Sequence, residues 1–252
     1  MTSDLARRAL LRTLRQPANV VPVIFFPMLL VAINSAGLDA ASELPGFPAD
    51  SYLDFIIAVP FIQGGLFAML NAGTDLATDI ESGFLRRLAL TPVRGTSLLL
   101  GQVAGVVALS LVAAVVYLTV GFIAGVTVAA GPAGVVALLV FAVAIGLMFS
   151  SIGAFVGLRS GSPQTVQGFF PLFFVLLFLS SANLPRDLME QDWFATVAGL
   201  NPVSYLIEGI RSLVVTGWDP AALWPAIAIL VVGTLVGGAA AAHAMRTNLV
   251  RT

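Results

Sequence analysis

Apolar residues run along this chain in long unbroken stretches, without the two-residue alternation of a half-buried strand. Six stretches approach the ~20 residues that carry a helix across a bilayer. They are Val20–Ala36, Phe55–Ala72, Leu98–Val128, Val135–Leu158, Val166–Ala182 and Leu223–Ala242. The first and fifth are short; the third exceeds one crossing, so it tilts or projects from the membrane. The "AAGPAG" of Ala129–Gly134 predicts a tight turn between the third and fourth. Ile33–Gly37 ends in small residues, as a cleaved leader does, but Pro22 and Pro27 interrupt its apolar run and five more spans follow. The first stretch is therefore read as a span. The pattern predicts an all-α, polytopic membrane protein of six transmembrane helices, with residues 1–252 as a single domain.

Three segments outside the spans have a pattern of their own. In Asp4–Arg15, "DLARRALLRTLR", Leu5, Ala6, Ala9, Leu10, Thr13 and Leu14 share one half of a helix. Arg7, Arg8, Arg12 and Arg15 take the other half, and Pro17 ends the helix. A basic amphipathic helix over residues 4–16 lies on the inner membrane surface. The second segment, residues 74–97, contains "DIESGFLRRLALTPVRG". Leu76, Ile80, Phe84 and Leu88 form an apolar stripe at four-residue spacing, and Thr91-Pro92 can start a second helix that feeds the third span. Asp75, Asp79 and Glu81 would be repelled by an anionic leaflet; they make better sense against a protein. The third segment, residues 183–220, reads as two short helices, Trp193–Leu200 and Val203–Val215, broken at Asn201-Pro202. Neither can cross, so the pair is expected as a re-entrant hairpin in the outer leaflet, packed against protein. Glu208 and Arg211 stand at i, i+3 and can pair.

Charge orients the chain. All 12 basic residues are Arg. Ten fall on the side of the N-terminus, and only Arg186 and Arg211 on the other. By the positive-inside rule both termini are cytoplasmic. The opposite face carries most of the acids, with Trp193, Trp218, Trp224 and Tyr52 near it as interfacial residues. Composition agrees: 58% of residues are hydrophobic and 10% charged, against about 25% charged in a soluble domain. The absence of Cys removes disulfides and thiol chemistry. The absence of Lys excludes a phosphate-cradling P-loop. No basic stripe suggests nucleic acid. Any ATP must be bound by another chain, and no cofactor is expected in this one.

Inside the spans the polar residues are few. Gln63 and Asn71 in the second should face protein or a cavity. The fifth carries "FFPLFFVLLF", whose Phe169, Phe170, Phe173 and Phe174 could wall an apolar passage or simply pack. An ion-coupled carrier would need ionisable groups at mid-membrane, and no Asp, Glu or Arg is central to any span. An intramembrane enzyme would need more than the single His243 or the Asp75–Asp79 pair.

Two stretches resemble a known family. "ESGFLRRLALTPVRGTSLLLGQ" (Glu81–Gln102) is similar to the segment between spans two and three of ABC-2-type transporter permeases. "NPVSYLIEGIR" (Asn201–Arg211) resembles the Asn-Pro…Tyr…Glu…Arg motif between their spans five and six, here Asn201, Pro202, Tyr205, Glu208 and Arg211. The daunorubicin-resistance branch of exporters looks most similar. The resemblance implies that residues 74–97 hold a coupling helix docking on a separate ATPase, through Glu81, Gly83, Phe84, Leu85, Arg86 and Arg87. It implies two permease chains, identical or different, over two ATP-binding-cassette subunits that bind ATP and Mg, in a bacterial inner membrane. The cargo would be a hydrophobic drug-like or lipid-like molecule, with export of a lipid- or polysaccharide-linked intermediate as the alternative. Gln102 departs from the pattern, where the family often has a base.

Overall fold

The computed structural model describes residues 17–83 and 95–250. Among these residues the chain forms nine α-helices and no strand. The 4–16 helix and residues 84–94 lie outside the described residues.

Helix α1 (Pro17–Leu38) contains Pro22 and Pro27 and runs into a short 3₁₀ turn, Asp39–Glu43. Helix α2 (Tyr52–Ile56) starts at Ser51, whose hydroxyl accepts from Asp54 N and donates to Asp54 Oδ2. The chain breaks at Ile57–Ala58 and continues as α3 (Val59–Glu81), with Pro60 in its first turn. Proline there forfeits only an N–H that would have no helical partner anyway. Helices α4 (Gly95–Ile123) and α5 (Gly131–Ser160) follow, joined by residues 124–130; of the turn expected at Ala129–Gly134, Ala129 and Ala130 belong to this connection and Gly131–Gly134 open α5. Gly161, at φ 61°, caps α5, and Ser162 caps α6 (Pro163–Phe178) by accepting from Thr165 N. Then come α7 (Asp192–Leu200), α8 (Pro202–Val215) and α9 (Pro220–Val250).

Five of these segments are long and apolar enough to cross a membrane: Val21–Glu43, Tyr52–Glu81, Gly101–Ile123, Gly131–Ser160 and Pro220–Thr247. The expected fifth span differs. It is α6, 16 residues long, which at 1.5 Å per residue rises about 24 Å, short of a ~30 Å hydrocarbon core. The residues that were to complete it, 179–182, form a turn instead, with Ser180, Ser181 and Ala182 buried.

Helix α5 is the hub, packed against α3, α4 and α9. Its contact with α3 is the tightest in the fold. A Cβ added at Gly153 would overlap the Met69 carbonyl oxygen, and one at Gly157 would overlap that of Gly73. With no hydrophobic driving force in lipid, such close backbone approach through small residues holds helices together. At one end of the bundle, Leu76 and Ile80 of α3 meet Ala154 and Leu158 of α5 and Ala241, Ala244 and Met245 of α9. The helix ends bearing Glu81, Arg159 and Arg246 therefore gather on one side. At the other end, the Ala129 and Ala130 amides donate to the Val214 and Leu213 carbonyls, 2.9 and 3.0 Å. These are orphan acceptors at the C-terminus of α8.

Candidate functional site

The residues singled out by sequence fall in three places. The first is the joint between α6 and α8. The break at Asn201-Pro202 occurs where expected, and Asn201 serves both sides of it. Its Oδ1 accepts from Val203 N at 3.0 Å, capping α8, while its Nδ2 donates to the Leu176 and Leu179 carbonyls at the end of α6, 2.6 and 3.0 Å. Pro202 supplies the first helical position. Tyr205 donates its hydroxyl to the Gly199 carbonyl at 2.7 Å, tying α8 back to α7.

Glu208 and Arg211 do not pair with each other as the i, i+3 spacing suggested. Glu208 takes Arg186 at 2.6 Å, and the Arg186 guanidinium also lies 4.8 Å over the Tyr205 ring. The Arg186 pKa is raised: partial burial works against the charge, but the Glu208 carboxylate and the Tyr205 hydroxyl outweigh it. Arg211 turns inward and is 7% exposed. Its Nε donates to the Phe55 carbonyl, beside the α2–α3 break, at 3.0 Å. One of its terminal nitrogens reaches the Ser181 and Ala182 carbonyls at 2.9 and 3.2 Å. The guanidinium carbon stands 3.4 Å from the Phe55 ring centroid. Burial lowers its pKa to about 9, opposed by the Glu208 carboxylate, and the side chain stays cationic at neutral pH. Tyr52 adds a bond to the Asn183 carbonyl at 2.9 Å, and Ser204 Oγ accepts from Ser181 N at 3.1 Å. The motif is thus a polar knot. It ties irregular backbone from three parts of the chain, as a membrane protein must where helices break.

The second place is the end of α3. Residues 74–81, expected as part of a separate insert, are the last two turns of α3 itself. Leu76 and Ile80, the described half of the apolar stripe, face α5 and α9. Glu81 is exposed, and Gly83 has φ 68° and no described atom within 4 Å of where a Cβ would sit. Phe84, Leu85, Arg86 and Arg87 lie outside the described residues. Gln102 donates to the Ala72 carbonyl at 3.0 Å, so the position that departs from the motif fastens α4 to α3.

The third place is a cluster of phenyl rings from α1, α3 and α6. Phe170 and Phe174 lie 5.0 Å apart, centroid to centroid, and both contact Phe67 of α3, at 5.5 and 6.4 Å. Phe26 of α1 joins them, 6.1 Å from Phe67 and 6.2 Å from Phe174. Phe173 turns to Phe149 of α5, 6.4 Å away, and Phe169 is exposed, so the six expected lining residues do not share one wall. Gln63, one turn before Phe67, is 3% exposed and its Oε1 has no hydrogen-bond donor. Asn71 is half-buried on the same helix. Phe26 and Phe67 were not singled out from the sequence; only their position opposite α6 marks them.

Tyr117 was missed as well. Pro27 has no N–H, so the Val23 carbonyl lacks the donor that residue 27 would bring in an unbroken helix. The Tyr117 hydroxyl of α4 donates to it instead. A tyrosine inside a span, facing a proline four residues beyond an acceptor, was the available signal. Among the described residues, no group of three His, Cys, Asp or Glu could hold a metal ion.

Comparison with known proteins agrees with this architecture. The family model for the ABC-2 type transporter matches residues 3–215. A protein of Porphyra purpurea named "Putative transport permease ycf38" is 26% identical over 261 residues, covering 97% of this chain and 88% of its own. The protein of the same name from Pyropia yezoensis is 29% identical over 212 residues, covering 83% and 72%. With a family match over most of its length and a bundle of membrane-crossing helices, this multi-pass membrane chain belongs to the ABC-2 type transporter family.

Proposed function

We propose that this chain is the permease subunit of an exporter powered by a separate ATP-binding-cassette ATPase. Two copies, or this chain and a related one, stand side by side over two ATPase subunits. Both termini and the segment after α3 face the cytoplasm. The observation that carries the reading is the end of α3. Its apolar stripe packs on α5 and α9, leaving the Glu81 carboxylate outward just before the Gly83 turn. That end also gathers the helix ends bearing Arg159 and Arg246, while Arg186 and Arg211 belong to the opposite end, as the positive-inside rule asks of a cytoplasmic face. Docking an ATPase there would push directly on α3 and, through α3, on α5.

The cluster of Phe26, Phe67, Phe170 and Phe174, with the buried Gln63 one turn away, supports a hydrophobic drug-like or lipid-like cargo. Phenyl rings in edge contact can part and re-stack without leaving a polar group unpaired.

The test uses the tagged chain purified from its native membranes with whatever ATPase accompanies it. Glu81→Arg reverses a contact charge, turning attraction to repulsion, and Gly83→Trp blocks close approach. Both variants should insert normally and lose the co-purifying ATPase. If both retain it with the parent's rate of ATP turnover, the docking reading is wrong.

A further inference from the structure

Helix α1 is lightly held. Among its described side chains Val23, Pro27 and Val31 are buried, and phenylalanines 25 and 26 are exposed. Pro22 and Pro27 interrupt it. At Pro27 the helix cannot satisfy the Val23 carbonyl, and in hydrocarbon no water does so. The donor comes from α4: Tyr117, 1% exposed, whose hydroxyl points at Val23 and whose ring packs edge-on against Phe61 at 5.7 Å. Gly64 leaves the space, since a Cβ there would come to 3.1 Å from the Tyr117 oxygen. One helix thus lacks a bond that another helix supplies through a side chain that can let go.

We propose that Tyr117 is a positioning residue: by standing in for the missing Pro27 amide, it sets the direction of the N-terminal arm of α1 and makes that direction follow α4. Helix α4 is the element that leaves the 84–94 segment, and Gln102 fastens its first turns to Ala72 of α3. A displacement arriving at that end therefore has a polar route to α1 through this hydroxyl, beside the apolar packing of α1 on α3. The bond is also exchangeable, because the arm can swing if Tyr117 withdraws and close again when it returns. The inference concerns the chain's own helices and stands apart from what cargo is moved or which ATPase docks.

The chain lacks Cys, so introduced pairs can be spin-labelled cleanly. In the full chain in lipid nanodiscs, Val21→Cys reports the arm before Pro27 and Ile33→Cys the arm after it. Each is paired with Val140→Cys on α5; all three positions are exposed. Tyr117→Phe removes one oxygen and keeps the ring on Phe61. It should broaden or shift the 21–140 distance distribution and leave the 33–140 distribution as it was. Pro27→Ala restores the backbone donor, so Tyr117→Phe added to Pro27→Ala should leave the 21–140 distribution of Pro27→Ala unchanged. The melting temperature should follow. Tyr117→Phe should lower it by about 1–7 °C in the parent, from about 0.6–1.7 kcal/mol per interhelical bond in a membrane protein, and leave it unchanged beside Pro27→Ala. An unchanged 21–140 distribution in Tyr117→Phe overturns the proposal. So does an equal effect of Tyr117→Phe with and without Pro27, because the hydroxyl would then be doing something other than replacing the missing amide.

Discussion

Arg211 donates three buried hydrogen bonds to backbone where helices break, and its removal can be worked through. Arg211→Met keeps length and apolar bulk and deletes three hydrogen bonds, to the carbonyls of Phe55, Ser181 and Ala182. A hydrogen bond to a charged group contributes about 1.5–3 kcal/mol. Part of that sum returns, because a buried cation no longer has to be desolvated. The carbonyls, however, stay in place without a donor, which is the costly half of the asymmetry. The expected loss is about 3–5 kcal/mol. For a chain of this size each kcal/mol moves the midpoint by about 2–4 °C, giving a fall of about 6–20 °C. Arg211→Lys should fall in between, since an ammonium keeps the charge but cannot spread over three acceptors with a planar fork. Glu208→Gln is the control. Its pair with Arg186 is partly exposed, at 32% and 21%, so the change should cost under about 1 kcal/mol. The assay is thermal denaturation of the purified chain in detergent, read by loss of the monodisperse peak. If Arg211→Met melts within about 3 °C of the parent, the carbonyls find other donors. The knot would then not depend on its arginine.

Two further predictions use the same assay. Gly153→Ala adds a methyl that overlaps the Met69 carbonyl, so α3 and α5 must separate, at a cost of about 1–3 kcal/mol; a variant as stable as the parent would show that the seam yields. Asn201→Ala loses a helix cap and two bonds to the end of α6, an expected loss of about 2–3 kcal/mol. Asn201→Asp keeps the cap acceptor but turns a buried carboxylate oxygen toward the Leu176 and Leu179 carbonyls, so it should lose at least as much as Asn201→Ala; an Asp variant as stable as the parent would show that those carbonyls need no donor.

Periodicity made the long helices legible because a span in lipid is nearly all apolar and nothing else in the chain is. Asn201-Pro202 was legible as a break for the same local reason: proline sets where a helix begins, and asparagine caps it. The pairing of Glu208 was not. Spacing shows only neighbours on the same helix, whereas its partner Arg186 lies 22 residues upstream and Arg211 faces a break 156 residues away. The extent of α6 was misjudged because Leu179–Ala182 is apolar enough to continue a span. It folds as a turn because Asn201 and Arg211 offer its carbonyls better partners than a further helical turn would. The Gly153–Gly157 spacing is visible in the sequence, but among 24 glycines nothing local marks it as a contact.

The contact of α3 with α5 has a consequence for permeation. Where Gly153 and Gly157 lie against the backbone of Met69 and Gly73, no side chain stands between the helices. A seam without side chains has no gap that a rotamer change could widen. Neither an acyl chain, nor a file of water, nor a solute can thread it unless the two backbones come apart. Along α1 and α6 the filling is phenyl rings on separate helices, and a ring can turn aside. Over these two turns the α3–α5 contact is closed by backbone alone, whereas at Gly65 the Ile145 and Phe149 side chains take over the filling.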